Sequence, residues 1–148
     1  MLYLAYMSEY EHEKPLFWIG SSLGDLKDCP DEVQDFVGYA LHWAQRGSKS
    51  PAAKPLQGFG NAGVLEVVDD FDGNTYRAVY TVRFAQAVYT LHVFQKKSRK
   101  GIATPKQEID LVTARLKRAE AHYAAWMAET QGKDHEQNTQ RRNTCPCQ

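Results

Sequence analysis

Three stretches of β-forming residues stand close together in the middle of this chain, and the short connections between them leave few folds open to it. Val64-Leu-Glu-Val-Val68 runs into the turn cluster Asp69-Asp-Phe-Asp-Gly73. Thr75 to Arg83 and Ala87 to Gln95 follow, each rich in β-branched and aromatic residues. Runs of this composition, bounded by Gly, Asp and Asn, read as strands. A parallel crossover needs a dozen residues or more, so links of a few residues favour hairpins. The expected centre is an antiparallel meander.

Helical signals flank it. Pro30-Asp-Glu places Pro near the first helical position and acids in the first turn, where the helix dipole favours them. Val33, Phe36, Val37, Ala40, Leu41 and Ala44 then fall at helical spacing, and Gly47 ends the pattern. Downstream, Thr104-Pro-Lys-Gln107 has the form of a capping box, followed by Ile109, Val112, Leu116, Ala119, Tyr123 and Trp126 at helical intervals. Leu16-Phe-Trp-Ile19 reads as a short strand stopped by Gly20, and Ser21 to Lys27 as a short helix. The order β, α, α, β, β, β, α predicts an α+β fold, a small antiparallel sheet with helices packed on one face. The glycines of Gly58-Phe-Gly-Asn-Ala-Gly63 scan as a GxGxxG element, but a strand follows them rather than a helix, so a dinucleotide-binding reading fails.

The expected organisation is an N-terminal extension over 1–13, one domain over 14–129 and a polar tail over 130–148. The tail has no aliphatic or aromatic residue, and such a segment cannot offset its ordering entropy by burial, so it is expected to be disordered. Met7 is an alternative start. No apolar run approaches the ~18–20 residues that a membrane span needs, and the opening residues make a poor signal peptide. Cys29, Cys145 and Cys147 are too few for a disulfide framework and suit reduced thiols in a cytoplasmic protein. No metal site is expected, since tetrahedral zinc takes four ligands.

Charge enters the argument through its distribution. The chain balances 18 basic against 18 acidic residues, which on its own argues against a nucleic-acid partner. Residues 1–40, however, hold eight acids and two bases, and residues 96–118 hold eight bases and two acids, a separation of −6 from +6. Phosphate affinity follows local contacts rather than the sum over the chain.

Strand alternation says which side chains share a face. Tyr76, Ala78, Tyr80 and Val82 fall on one side of the second meander strand, and Arg77, Val79, Thr81 and Arg83 on the other. On the third strand Val88, Thr90, His92, Phe94 and Lys96 share a face, opposite Ala87, Tyr89, Leu91, Val93 and Gln95. A single bulge swaps such an assignment. With helices on one face, the other presents Arg77 and Arg83, with His92 and Lys96, as a shallow cationic surface. The run Lys96-Lys-Ser-Arg-Lys100 extends it, ahead of a helix bearing Arg115, Lys117 and Arg118. A basic run at a strand end is commonly a solvated loop, and His92 equally suits a satisfied core position. In the functional reading, clustered cations hold phosphates while aromatics stack on unpaired bases, the usual mode for single-stranded RNA. Cleaving RNA without metal then takes a base for the 2′-hydroxyl proton, cations on the phosphate and an acid for the leaving oxygen. A lysine in a cation-rich patch can act as the base, whereas arginine only stabilises charge.

Five fragments in order complete the reading: Lys54-Pro-Leu-Gln-Gly58, Gly63-Val-Leu-Glu66, Thr75-Tyr-Arg-Ala-Val-Tyr80, Leu91-His-Val-Phe-Gln-Lys-Lys97 and Thr104-Pro-Lys-Gln-Glu-Ile109. Over residues 14 to 127 the chain resembles the phage Gp49-like, or HigB-like, branch of the RelE/ParE toxin superfamily. The resemblance implies a RelE-like fold and the toxin of a type II toxin–antitoxin module, a ribosome-dependent mRNA endoribonuclease that needs no cofactor. The partners it implies are an antitoxin, often a helix-turn-helix protein, together with mRNA and the ribosome. It carries catalytic roles to Arg77, Lys96 and Lys97 and sets Lys106 near a functional position of relatives as an RNA-binding residue, while the strand-face and basic-run reading adds Arg83, His92, Phe94, Arg99 and Lys100 as RNA-binding residues. Two departures stand out. Relatives often place basic residues on the strand matching Val64 to Val68, where this chain has Leu65, Glu66 and Val67, and a C-terminal catalytic tyrosine of some relatives has no counterpart. A ParE-like poison of DNA gyrase without nuclease activity, or a decayed prophage protein that only binds its antitoxin, are the alternatives on the same scaffold.

Overall fold

A computed structural model describes residues 13–96 and 104–143, with side chains as far as Lys133. In chain order the elements are β1 (Leu16–Trp18), α1 (Ser22–Lys27), α2 (Asp31–Gln45), β2 (Lys54–Pro55), β3 (Val64–Phe71), β4 (Asn74–Thr81), β5 (Val88–Lys96) and α3 (Lys106–Asn143). Among the described residues no helix is long and apolar enough to cross a membrane.

The meander is present as β3-β4-β5. Its first hairpin is tighter than the acidic cluster suggests: β3 continues through Asp69 and Asp70, and Phe71 pairs with Asn74 across the two-residue turn Asp72-Gly73. Both turn residues have positive φ, 50° and 78°, the backbone that matches the twist of a two-residue hairpin.

The α+β class holds, with two corrections to the sheet. It has five strands in the order β1-β5-β4-β3-β2 and is mixed rather than antiparallel, because β1 lies parallel to β5, with Leu16 opposite Val88 and Trp18 opposite Thr90. Helices also cover both faces, not one. On one face α2 packs Val33, Val37, Ala40, Leu41 and Ala44 against a core that includes Leu65, Val67, Ala78 and Tyr80. On the other, α3 brings Val112, Leu116 and Ala119 to Val64, Val79, Tyr89 and Leu91. The sequence hides this because Glu66, Arg77 and Thr81 interrupt the second apolar face, yet all three are buried.

A bulge re-aims the end of β5. Val79 pairs with His92 but Tyr80 pairs with Thr90, leaving Leu91 as the extra residue. Leu91 and His92 therefore both turn toward α3, and Phe94 packs there too, whereas Val93 joins the α2 side. His92 and Phe94 thus share a face with Tyr89 and Leu91, contrary to simple alternation.

The long α3 also departs from expectation. Residues 130–143 continue its helix, where composition predicts a disordered tail, and residues 144–148 lie outside the described part. Glu, Gln, Lys and Arg are good helix formers, and extension from an already packed helix avoids the nucleation cost.

Arg115, one of the expected surface cations, is instead a buried tie between three elements. Its Nη1 donates to the Leu91 carbonyl at the bulge (2.9 Å) and approaches His92 Nδ1 (3.3 Å), and its Nη2 donates to Ser21 Oγ (3.0 Å). Gly20 makes room for it. That residue has φ +59°, and a Cβ there would lie 2.9 Å from Arg115 Nε. Gly20→Ala is therefore expected to cost about 2 kcal/mol, from the left-handed backbone and the clash together, read as a lower urea midpoint at unchanged m.

Candidate functional site

A groove of about 600 Å³ opens on the α3 side of the sheet, at the end where α3 begins. Strand β2 forms one wall, with Lys54 opposite Glu66 and Pro55 opposite Leu65. Glu66 of β3 and Arg77 of β4 make the floor, and Thr104, Lys106 and Ile109 close the other side.

The floor is an ion pair with spare hydrogen-bonding capacity. Arg77 Nη1 donates to Glu66 Oε2 at 3.1 Å and to Thr104 Oγ1 at 3.0 Å. Lys54 Nζ lies 3.8 Å from Glu66 Oε1. Arg77 is only 6% exposed, yet its Nε has no hydrogen-bond partner among the described residues. Thr104, read as an N-cap, spends its hydroxyl on Arg77 instead, and the Pro105 carbonyl takes the first-turn amides of Glu108 and Ile109.

Lys96 belongs to the same neighbourhood. Phe94 pairs with Arg77 and Lys96 with Thr75, so alternation puts Lys96 on Arg77's face, one diagonal away and within reach of a long side chain. It is 9% exposed, and its Nζ is likewise buried without a partner. Two cationic groups so placed hold unused donors that an anion could accept.

The other expected site residues divide. Lys106 is exposed on the groove rim. Arg83 lies away from it and pairs with Glu120 of α3. His92 is buried, bonded to Glu108 through Nε2 and stacked on Phe94 at 4.6 Å with the planes 17° apart. Both line a separate shallow depression with Asp25, Asp28 and Glu108, whose carboxylates disfavour a phosphate there. Lys97, Arg99 and Lys100 lie outside the described residues. Burial is the main influence pulling the Arg115 guanidinium down from its ordinary value, with the Arg118 charge adding to it and Asp25 and Glu108 opposing. That residue is structural rather than a free phosphate contact.

Glu66, Lys54 and Thr104 line the candidate groove without having been singled out as site residues by the pattern. One signal was available for Glu66: it is the single charge in Val-Leu-Glu-Val-Val, a run otherwise apolar enough to be buried on both faces. Cys29, the one cysteine among the described residues, donates its Sγ–H to the Asp25 carbonyl at 3.3 Å. Burial pushes its thiol up, and Asp25 and Asp28 push the same way, so it is not an activated nucleophile. Among the described residues no three His, Cys, Asp or Glu side chains converge to hold a metal ion.

A family model described as Phage derived protein Gp49-like (DUF891) matches residues 24–117, a span from within α1 to within α3 that includes every residue of the groove. No curated protein and no solved structure matches the chain.

Proposed function

Since the chain belongs to the Gp49-like family of phage-derived proteins, a RelE/HigB-type toxin family, we propose that it is the toxin of a type II toxin–antitoxin pair and that it cleaves mRNA on the ribosome without a metal. The observation that carries the nuclease reading is the buried, unpartnered Arg77 Nε on the groove floor beside the Glu66 carboxylate, with the likewise unpartnered Lys96 Nζ on the same sheet face one cross-strand diagonal away. Leaving such donors unpaired in a folded protein is costly, and they suit a site whose anion arrives with the substrate.

In this reading a phosphodiester enters the groove and is held by Arg77, with Lys54 and Lys106 at the rim. Glu66 Oε2 is bonded to Arg77, and Oε1, which lies 3.8 Å from Lys54 Nζ and accepts no hydrogen bond at that distance, takes the 2′-hydroxyl proton. The 2′-oxygen then bonds to phosphorus, the bond to the 5′-oxygen breaks, and that oxygen leaves with a proton from Lys96. The products are a 2′,3′-cyclic phosphate and a 5′-hydroxyl. This arrangement moves the base from a lysine, as the composition suggested, to the carboxylate. Lys97, Arg99 and Lys100 follow directly on Lys96 and extend the phosphate track in the proposal. A cognate antitoxin, of the helix-turn-helix type common in such modules, silences the activity.

Lys96→Met tests the assignment through two readouts that move differently. An ammonium buried without a partner is a stability cost, so the variant is expected to melt at the same temperature as the parent or higher. Growth arrest on induction is expected to disappear. A Lys96→Met chain that still arrests growth contradicts the role.

A further inference from the structure

Helix α2 carries an aromatic ridge on the side away from the sheet. Tyr39 is 59% exposed, well beyond any other large apolar side chain described, and meets Trp43 edge to face at 6.0 Å. The two rings, with His42, Arg46 and Ser48, line a groove of about 400 Å³. Gly38, mid-helix beside Tyr39, would meet nothing within 4 Å if given a Cβ. A glycine at such a position costs roughly 1 kcal/mol of helix stability, and no described neighbour accounts for it. This surface lies across α2 from the candidate nuclease groove and takes no part in the reading above.

The described chain starts at the rim of this groove. Glu13 Oε1 is 3.3 Å from His42 Nδ1. The Lys14 amide donates to the Gln45 carbonyl (2.8 Å), and Gln45 Nε2 donates back to the Lys14 carbonyl (2.9 Å). Residues 1–12 therefore join the fold where it is tied to the helix that carries the ridge. Their composition complements it: Leu2, Tyr3, Leu4, Tyr6, Met7 and Tyr10 are apolar or aromatic, Glu9 and Glu11 are acidic, and there is no Lys or Arg. The groove offers the aromatic walls of Tyr39 and Trp43 to such side chains.

We propose that residues 1–12 fold back over α2 and seat Tyr10 and Met7 on the Tyr39–Trp43 ridge, so that the groove is an intramolecular docking site for the N-terminal segment. Tyr10 is three residues from Glu13, so its backbone reaches no farther than about 10 Å from that anchor. Tethering at this range supplies a local concentration on the order of millimolar, enough for modest aromatic contacts to be occupied.

Chymotrypsin and NMR test this on the whole chain. Cleavage after Tyr10 is expected to run about tenfold faster in Tyr39→Ser than in the parent, since proteolysis follows the population of the open segment. Tyr39 is exposed, and an unchanged melting temperature confirms the variant's fold. Independently, deleting residues 1–12 is expected to shift the Trp43 indole resonance. Equal cleavage rates in parent and variant, with an unmoved Trp43 signal, overturn the proposal. So does a full-length chain that sediments as a dimer dependent on Tyr39 while its N-terminal segment is cut at the rate of a free peptide, which makes a second copy the occupant.

Discussion

Glu66→Gln is expected to lower single-turnover RNA cleavage by about 10² to 10⁴-fold, the usual weight of general acid–base catalysis, while leaving the fold intact. The amide keeps an acceptor for Arg77 Nη1, so the 3.1 Å contact on the groove floor has a replacement. What the variant loses is the ability to take a proton. A purely structural role for Glu66, which the amide would satisfy, predicts an unchanged cleavage rate instead. Glu66→Ala behaves differently. It strands a guanidinium that is only 6% exposed, and breaking a buried pair from one side costs about 3 kcal/mol. A Glu66→Gln chain with full activity moves the proton acceptor elsewhere, with Lys96 the next group to examine.

Arg115→Met carries the largest expected loss of stability, about 3 kcal/mol, or roughly 10 °C in melting temperature. The side chain holds the Leu91 carbonyl at the bulge, the Ser21 hydroxyl after β1 and the edge of the His92 ring. Methionine fills much of the volume but takes the side-chain donor from the buried Leu91 carbonyl and from Ser21 Oγ, which keeps only its own bond to Asp25 Oδ2. Urea denaturation at constant m gives the measurement, with exposed Arg118→Met as the control, expected within about 0.5 kcal/mol of the parent. If Arg115 were a free RNA contact, its loss would weaken cleavage and spare stability, the reverse of this expectation.

How far pattern reaches is clear from particular residues. The meander, α1, α2 and the start of α3 follow from periodicity and turn chemistry, which are local. The partner of β1 does not, because Leu16 and Val88 pair across 71 intervening residues of chain and no local signal names such a partner. The second helix-covered face was obscured for a related reason. Arg77 and Thr81 look solvent-facing in a period-two reading, and the ion pair with Glu66, with the bond to Thr104, makes burial of Arg77 tolerable. In the site, Arg77, Lys96 and Lys106 were legible as cations near one strand end. Glu66 was legible only as an oddity in an apolar run, since its role depends on the cross-strand register with β4 and on Lys54 from a two-residue strand. The bulge at Leu91 turned His92 and Phe94 onto the α3 face, and α3 supplies the Glu108 that claims His92. No single-strand alternation foretells that.

The most direct test of the nuclease reading is primer extension on cellular message after induction of the parent chain, Lys96→Met and Arg77→Lys. Arg77→Lys keeps a charge but loses the planar, multiply donating guanidinium. The parent is expected to produce discrete new 5′ ends inside translated frames, and both variants to leave the same messages whole. Intact message with broken DNA in the parent, or the same cuts persisting in both variants, contradicts the account.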